Sequence, residues 1–91
     1  MKFEWSHAKA ESNAAKHGIA FEEATTVFGD PLSRTIPDPL HSDAEDRFVT
    51  MGVSSRGRTI VVVHTDRGDN VRIISAREAT RTERMKYEEG L

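Results

Sequence analysis

Apolar and polar residues alternate at the start of the chain and then take up a helical spacing. The alternation of Lys2-Phe3-Glu4-Trp5 predicts a short strand. Ser6 has the side chain expected of a helix N-cap, and a helix is predicted from about His7 to His17. Gly18 is expected to end this helix, because glycine adopts the left-handed backbone of a helix C-terminus without steric cost.

A second short helix is predicted by four apolar residues at helical spacing: Phe21, Ala24, Val27 and Phe28. Gly29-Asp30-Pro31 ends it, because glycine and proline interrupt regular structure. The next segment, Leu32–Ile36, is a strand candidate, and Pro37-Asp38-Pro39 then forces a turn. The residues from His41 to Asp46 are expected to form an acidic loop.

Three further strands are predicted in the second half of the chain: Arg47–Val53, Thr59–Thr65 and Asn70–Ser75. The linkers between them are short and contain glycine, which favours hairpins and an antiparallel meander. The run Ile60-Val61-Val62-Val63 is apolar on both faces of a strand. This run should therefore lie in the central strand of the sheet.

A last helix is predicted from Thr80 to about Glu89. Thr80 and Glu83 have the spacing of a capping box, in which each side chain binds a backbone amide at the helix start. Gly90 is expected to end the helix. Together the elements predict one α+β domain over residues 1–91: a small antiparallel sheet with two N-terminal helices and a C-terminal helix.

Composition and charge narrow the functional classes. The chain has 91 residues, of which 36% are hydrophobic, and it lacks cysteine, so neither a disulfide nor a thiolate metal site is possible. No apolar run reaches the length of a signal peptide or a membrane span, so a cytoplasmic location is expected. The net charge is −2. However, residues 20–55 contain seven acids and two bases, whereas residues 56–86 contain eight bases and four acids. This asymmetry allows a basic surface on an acidic protein, although an ordinary mixed surface fits equally well.

Several short motifs follow one another along nearly the whole chain. They are Phe3-Glu4-Trp5, Lys9, Asn13, Lys16-His17-Gly18, Phe21-Glu22-Glu23-Ala24, Asp30-Pro31, Glu45-Asp46-Arg47, Gly57-Arg58, Arg72-Ile73-Ile74-Ser75-Ala76-Arg77, Glu83 and Tyr87. No single motif is specific on its own, but their order and spacing resemble the BrnT family of bacterial toxins. One departure is Ser6, which stands where the family usually has an aspartate; serine can still cap the helix.

This resemblance implies a RelE-like fold and the cleavage of RNA by the toxin of a type II toxin–antitoxin system, with inhibition of translation and growth. It also implies a cognate antitoxin, similar to BrnA, that binds DNA and neutralises the toxin in a hetero-oligomer. No cofactor is implied.

A ribonuclease without a metal needs a base, an acid and cations that hold the charge developing on the phosphate. We expect no metal site, because there is no His-Glu-x-x-His motif; His41, Asp43, Glu45 and Asp46 are close in sequence but fall in a loop. The candidate catalytic residues are His17, Arg58, Arg77 and Tyr87. The candidate RNA-binding residues are Lys16, Arg47, Arg72 and His64.

Each candidate also has a structural interpretation. His17 and Lys16 are cations at a helix C-terminus, the arginines are solvated edge residues, His64 is a hydrogen-bonded strand end, and Tyr87 is a core residue. Two other functions therefore stay open: a nucleic-acid-binding regulator without catalysis, which would use the basic stretch 56–86, and a module that only binds a partner protein.

Overall fold

Residues 1–38 and 46–90 are described by a computed structural model of the protein. They form five strands, three α-helices and one 3₁₀ helix. In chain order the elements are β1 (Lys2–Glu4), α1 (His7–His17), α2 (Phe21–Thr25), the 3₁₀ helix (Thr26–Gly29), β2 (Arg34–Pro37), β3 (Arg47–Val53), β4 (Thr59–Arg67), β5 (Asn70–Glu78) and α3 (Arg81–Glu89).

The helix ends follow the side chains that predicted them. At the start of α1 the Ser6 hydroxyl accepts the backbone N–H of Lys9 (3.4 Å), and the helix ends at Gly18 with φ of 70°. At the start of α3 the predicted capping box is complete: the Thr80 hydroxyl accepts the Glu83 N–H, and the Glu83 carboxylate accepts the Thr80 N–H. The second predicted helix is split, because α2 tightens into the 3₁₀ helix from Thr26 onward.

The sheet has the strand order β1-β5-β4-β3-β2. The predicted antiparallel meander is confirmed for β3, β4 and β5, and β4 is the central strand. Strand β1 departs from the expectation because it pairs with β5 in parallel, so the sheet is mixed. Strands β4 and β5 are also longer than predicted. The strand expected over Leu32–Ile36 begins two residues later, at Arg34.

The core lies between the helices and one face of the sheet. Ile60 and Val62 of β4 and Ile73 and Ala76 of β5 are buried there. They pack against α2 and its surroundings, where Phe21 is fully buried. We call this side the helix face. The opposite side of the sheet, the open face, contains half-buried residues of β3, β4 and β5 and is bordered by α3.

A β-bulge in β5 changes which residues share the open face. Val63 of β4 pairs with Ser75, whereas the next residue, His64, pairs with Ile73, so Ile74 is an extra residue in β5. Strict alternation would put Ile74 and Arg77 on opposite faces. Instead, Ile74, Ser75 and Arg77 line the same depression on the open face. Alternation counted along the sequence alone would thus assign Arg77 to the wrong face relative to Ile74, because a bulge shifts the alternation by one residue.

The side chain of Asn13 in α1 forms hydrogen bonds with β5 of the kind that a neighbouring strand would form. Its side-chain amide donates to the Ala76 carbonyl (2.8 Å), and its side-chain carbonyl accepts the Ala76 N–H (3.0 Å). The same amide also donates to the carbonyl of Ile19 (3.0 Å). Strand β1 covers β5 only from Asn70 to Arg72, so the helix side chain continues the pairing farther along that edge. This contact fixes the C-terminal half of α1 next to the bulge.

Candidate functional site

A depression of about 410 Å³ lies on the open face between β3, β5 and the start of α3. Its polar lining comprises Asp38, Arg47, Ser75, Arg77 and Glu83, and aliphatic side chains from β3, β4 and β5 form much of the rest. Arg47 is half-buried and forms no ion pair with any residue in the part of the chain that the structure describes. Its position in the lining would let its guanidinium contact an anion that enters the depression.

Arg77 points into the same depression and is held by Glu83 of α3. Its two terminal nitrogens donate to the two carboxylate oxygens over 2.7 and 2.9 Å. These bonds from Arg77, together with the Thr80 amide, lower the pKa of Glu83 to about 2. Glu83 is therefore an ionised orienting group for Arg77 near neutral pH and a weak base. The Arg77 side chain is still 41% exposed, so part of the guanidinium remains open to solvent.

A second depression lies at the C-terminal end of α1 and is lined by Lys9, Lys16 and His17. Its far wall is formed by Ile74 and Ser75, which also line the first depression. The bulge of β5 is thus the shared wall between the two depressions. It brings the helix cations and the strand arginines to one continuous surface.

We call this continuous surface the basic surface. It combines an exposed histidine, an exposed lysine, two arginines and a hydroxyl that has no hydrogen-bond partner among the described residues. A proton-transfer group, hydroxyl and cations are the functional groups that phosphoryl transfer from an RNA 2′-hydroxyl requires. The members of the basic surface are Lys16, His17, Arg47, Ser75 and Arg77.

Arg72 faces the same side of the sheet but lies nearer β1. Its Nη1 donates to Glu4 Oε2 over 3.0 Å, and Asn70 donates to the other oxygen of the same carboxylate. The hydrogen bonds from Asn70 and Arg72 lower the pKa of Glu4. The structure thus links Arg72 to the β1–β5 pairing and does not bring it into the lining of either depression.

Arg58, predicted from the sequence as a catalytic cation, lies on the helix side of the molecule. Its guanidinium donates through Nε (2.9 Å) and Nη2 to the carboxylate of Glu23, which also accepts the Ser54 hydroxyl (2.7 Å). The hydrogen bond from Arg58 lowers the pKa of Glu23, which is buried. The Arg58 Nη2 also donates to the Gly18 carbonyl over 3.4 Å, so Arg58 lies beside the end of α1 but lines neither depression.

His64, predicted as an RNA-binding residue, is also separated from the basic surface. It is 4% exposed and lies on the helix face between the rings of Phe28 and Phe48. Its Nε2 is 2.7 Å from the Thr50 hydroxyl, and its buried Nδ1 has no partner within the described ranges. Burial lowers the pKa of His64, so the ring is held neutral inside the protein. An RNA chain on the surface would not reach it.

Tyr87, predicted as a catalytic residue, attaches α3 to the rest of the fold. It is the buried residue of α3, and its hydroxyl donates to Asp30 Oδ2 over 2.7 Å. Burial and the Asp30 carboxylate raise the pKa of Tyr87 to about 12, so the phenol keeps its proton. Asp30 in turn accepts the backbone N–H groups of Val53 and Leu32. The hydroxyl thus belongs to a structural network and is not part of the lining of the basic surface.

The roles of three residues were not predicted from the sequence: Asn13, Ser75 and Glu83. All three belong to motifs that were noticed for other reasons, since Asn13 is a motif position, Glu83 is the capping-box glutamate and Ser75 lies in the Arg72–Arg77 run. Nothing local in the sequence indicates the bulge that turns Ser75 toward the helix cations. The 63-residue separation between Asn13 and Ala76 also leaves no local signal.

Neither a metal-binding cluster nor a membrane-spanning helix is found among the described residues. Among residues 1–38 and 46–90, no group of three or more histidine, aspartate or glutamate side chains is arranged to hold a metal ion. His41, Asp43 and Glu45 of the acidic loop lie outside the described residues. No helix within the same two ranges is long and apolar enough to cross a membrane.

The fold is shared with a known class of small α+β ribonuclease toxins. The 1.1 Å crystal structure of the Brucella abortus ribonuclease toxin BrnT superimposes with a TM-score of 0.66 and 25% sequence identity, covering 89% of this chain and 99% of that chain. A comparison of the sequence with curated proteins found no match. The family model described as the ribonuclease toxin BrnT of type II toxin–antitoxin systems matches residues 5–83. The chain therefore belongs to the BrnT family, as its motifs predicted.

Membership in this family also implies a partner protein. A toxin of a type II system acts together with a cognate antitoxin protein. Both the ribonuclease class and the existence of an antitoxin therefore follow from the family.

Proposed function

We propose that this protein is a metal-independent endoribonuclease that cleaves RNA on the basic surface and thereby inhibits translation and growth in the cytoplasm. The observation that carries the proposal is the β5 bulge. Because of the bulge, Ser75 lies in the wall between two depressions. One depression contains Lys16 and His17, and the other contains Arg47 and Arg77. A phosphodiester crossing this wall would have cations on both sides.

The proposed reaction needs no atom beyond the RNA and these side chains. The ribose 2′-oxygen attacks the adjacent phosphorus, the bond from phosphorus to the 5′-oxygen breaks, and the products are a 2′,3′-cyclic phosphate and a 5′-hydroxyl. His17 takes the proton from the 2′-hydroxyl and returns a proton to the departing 5′-oxygen, since an imidazole can act first as a base and then as an acid. Arg47, Arg77 and Lys16 stabilise the charge on the phosphoryl oxygens.

The cognate antitoxin is proposed to resemble BrnA, to bind DNA and to hold the toxin in an inactive hetero-oligomer. These finer properties come from the resemblance to the family. The chain is proposed to act as one domain over residues 1–91.

The proposal is tested by incubating purified toxin with a defined RNA in the presence and absence of EDTA. Cleavage should be equal in both, and the 5′ fragments should end in 2′,3′-cyclic phosphate. Loss of cleavage in EDTA, restored by a divalent ion, would refute metal independence.

His17→Ala provides the second test, with His7→Ala as its control. His7 is an exposed histidine at the other end of α1 and lines neither depression. Proton transfer by one positioned side chain contributes roughly 100- to 10,000-fold to a rate. His17→Ala should therefore lower cleavage at least 100-fold and His7→Ala should leave it unchanged. Equal activity of the two variants would remove His17 from the mechanism.

A further inference from the structure

A separate groove of about 220 Å³ lies between α3 and the outer strands β2 and β3. Its floor is formed by Ile36, Val49 and Met51, and the ring of Tyr87 closes one side. Two basic side chains stand at its border, Arg34 from β2 and Lys86 from α3. We call this feature the apolar groove.

The floor of the apolar groove exposes more hydrocarbon than an isolated surface residue would. Ile36 is 57% exposed, and all four residues of its strand are exposed. Strand β2 is also the last strand of the sheet, so its outer edge pairs with no other described strand. A contiguous apolar patch at a sheet edge, bordered by polar residues, is typical of a surface that binds another protein.

The charged side chains around the groove indicate which kind of segment can bind there. Lys86 forms no ion pair with any residue in the two described ranges, and Arg34 donates to the backbone carbonyl of Gly90 at the end of α3. Glu83, a carboxylate in the same lining, is already paired with Arg77. A complementary segment therefore has carboxylates for the border and aliphatic side chains for the floor. An RNA strand would gain little from an aliphatic floor, because its phosphates need cations and its bases need aromatic or planar faces for stacking.

From these features we infer that the apolar groove binds an acidic, amphipathic segment of the cognate antitoxin. The groove adjoins the depression that contains Arg47 and Arg77, and the two share four lining residues: Ile36, Val49, Met51 and Glu83. A segment seated in the groove therefore borders the basic surface and blocks the approach of RNA from that side. This last step, competition with RNA, rests on the proposed function, whereas the docking itself does not.

The inference is tested by measuring the affinity of purified toxin variants for the purified antitoxin encoded beside the toxin gene. Ile36→Asp and Lys86→Glu should each weaken binding at least tenfold. Leu32→Asp is the matched control for the first, because Leu32 is 52% exposed and does not line the groove. Arg84→Glu is the control for the second, because Arg84 is an exposed base on the same helix outside the groove lining. Both controls should bind like the unmodified toxin.

Several outcomes would overturn the inference. Unchanged affinity in both groove variants would place the antitoxin on another surface. A change in the mass of the free toxin caused by Ile36→Asp, measured by light scattering, would assign the groove to a second copy of this chain. Weaker RNA binding by Lys86→Glu with unchanged antitoxin binding would assign it to RNA.

Failure of the proposed function would look different. If the unmodified free toxin cleaves no RNA, the proposed chemistry is wrong, yet the affinity measurements still decide where the antitoxin binds. If the toxin does cleave RNA, Lys86→Glu should cleave at the same rate when alone and should resist inhibition by antitoxin at a concentration that silences the unmodified toxin.

Discussion

Arg77 and Glu83 form a two-pronged ion pair that joins the end of β5 to the first turn of α3, with nitrogen–oxygen distances of 2.7 and 2.9 Å. One carboxylate thus orients the arginine of the basic surface and caps the helix that borders it. Both side chains are partly exposed, so the pair stabilises the fold modestly while it fixes the direction of the guanidinium.

Arg77→Ala should abolish toxicity while the protein stays folded. A preorganised donor on a phosphoryl transition state contributes about 3–4 kcal/mol, or two to three decades in rate. Arg56→Ala removes the same charge from an exposed turn outside both depressions and should keep full activity. The measurement is single-turnover RNA cleavage with thermal unfolding as a check of folding. Full activity in a folded Arg77→Ala variant would contradict the site.

Glu83→Gln should distinguish the orientation of Arg77 from its contribution to RNA binding. The variant removes the negative charge beside Arg77, so RNA should bind no more weakly than before. The glutamine side chain would offer the Arg77 guanidinium one oxygen acceptor instead of two. We therefore expect kcat to fall about tenfold, because orientation of a catalytic group contributes to the rate. A raised KM with unchanged kcat would show that Glu83 does not position Arg77 for the reaction.

Arg58→Ala should impair stability and leave the chemistry intact. It would leave Glu23, which is 7% exposed, as a buried carboxylate with only Ser54 as a side-chain partner. Removing one partner of an ion pair leaves the other charge uncompensated, so the free energy of unfolding should fall. The fall should be smaller than for a fully buried pair, because the Arg58 side chain is 32% exposed. Urea denaturation should show this loss, while the folded fraction cleaves RNA at the normal rate. A hundredfold lower rate per folded molecule would restore Arg58 to the catalytic candidates.

The buried His64 should make the protein sensitive to mild acid. Because its folded pKa lies below the ordinary value of 6.5, the unfolded chain takes up a proton first as pH falls below about 6.5. Native stability should therefore decrease from pH 7.5 to 5. Within that window a His64→Gln variant should lose less stability than the unmodified protein, as measured by urea denaturation at each pH. Equal losses would show that His64 does not cause the decrease.

Asn13→Asp should destabilise the fold although the two side chains have the same shape. The amide donates to the carbonyls of Ile19 and Ala76, and a carboxylate would instead present oxygen to both. Leaving such buried groups unsatisfied costs about 1–3 kcal/mol each, so a total of about 2–6 kcal/mol is expected for the two carbonyls. Ser12→Asp adds the same charge at the preceding, exposed position of α1 and is the matched control. Similar denaturation midpoints for the two variants would argue against the strand-replacing role of Asn13.

Helix ends and the strand meander could be predicted because their causes are local. Gly18 and the Thr80–Glu83 pair lie at the ends they define, and the apolar run of β4 indicates a central strand. The partners of the arginines could not be predicted in this way. Glu4 and Arg72 are 68 residues apart and meet only because β1 adds to β5 in parallel. The pairing of Glu23 with Arg58 spans 35 residues and depends on how α2 packs on the sheet.

The extra residue in β5 also has a genetic consequence. Loss of the Ile74 codon alone would keep the reading frame and remove no charged or hydroxyl group, yet it would restore regular pairing between β4 and β5. Arg77 would keep its partner Val61 and its place on the open face, but the wall between the two depressions would lose Ile74. The deletion of three nucleotides that encode an aliphatic residue could therefore reshape the basic surface while the pairing of the sheet stays intact.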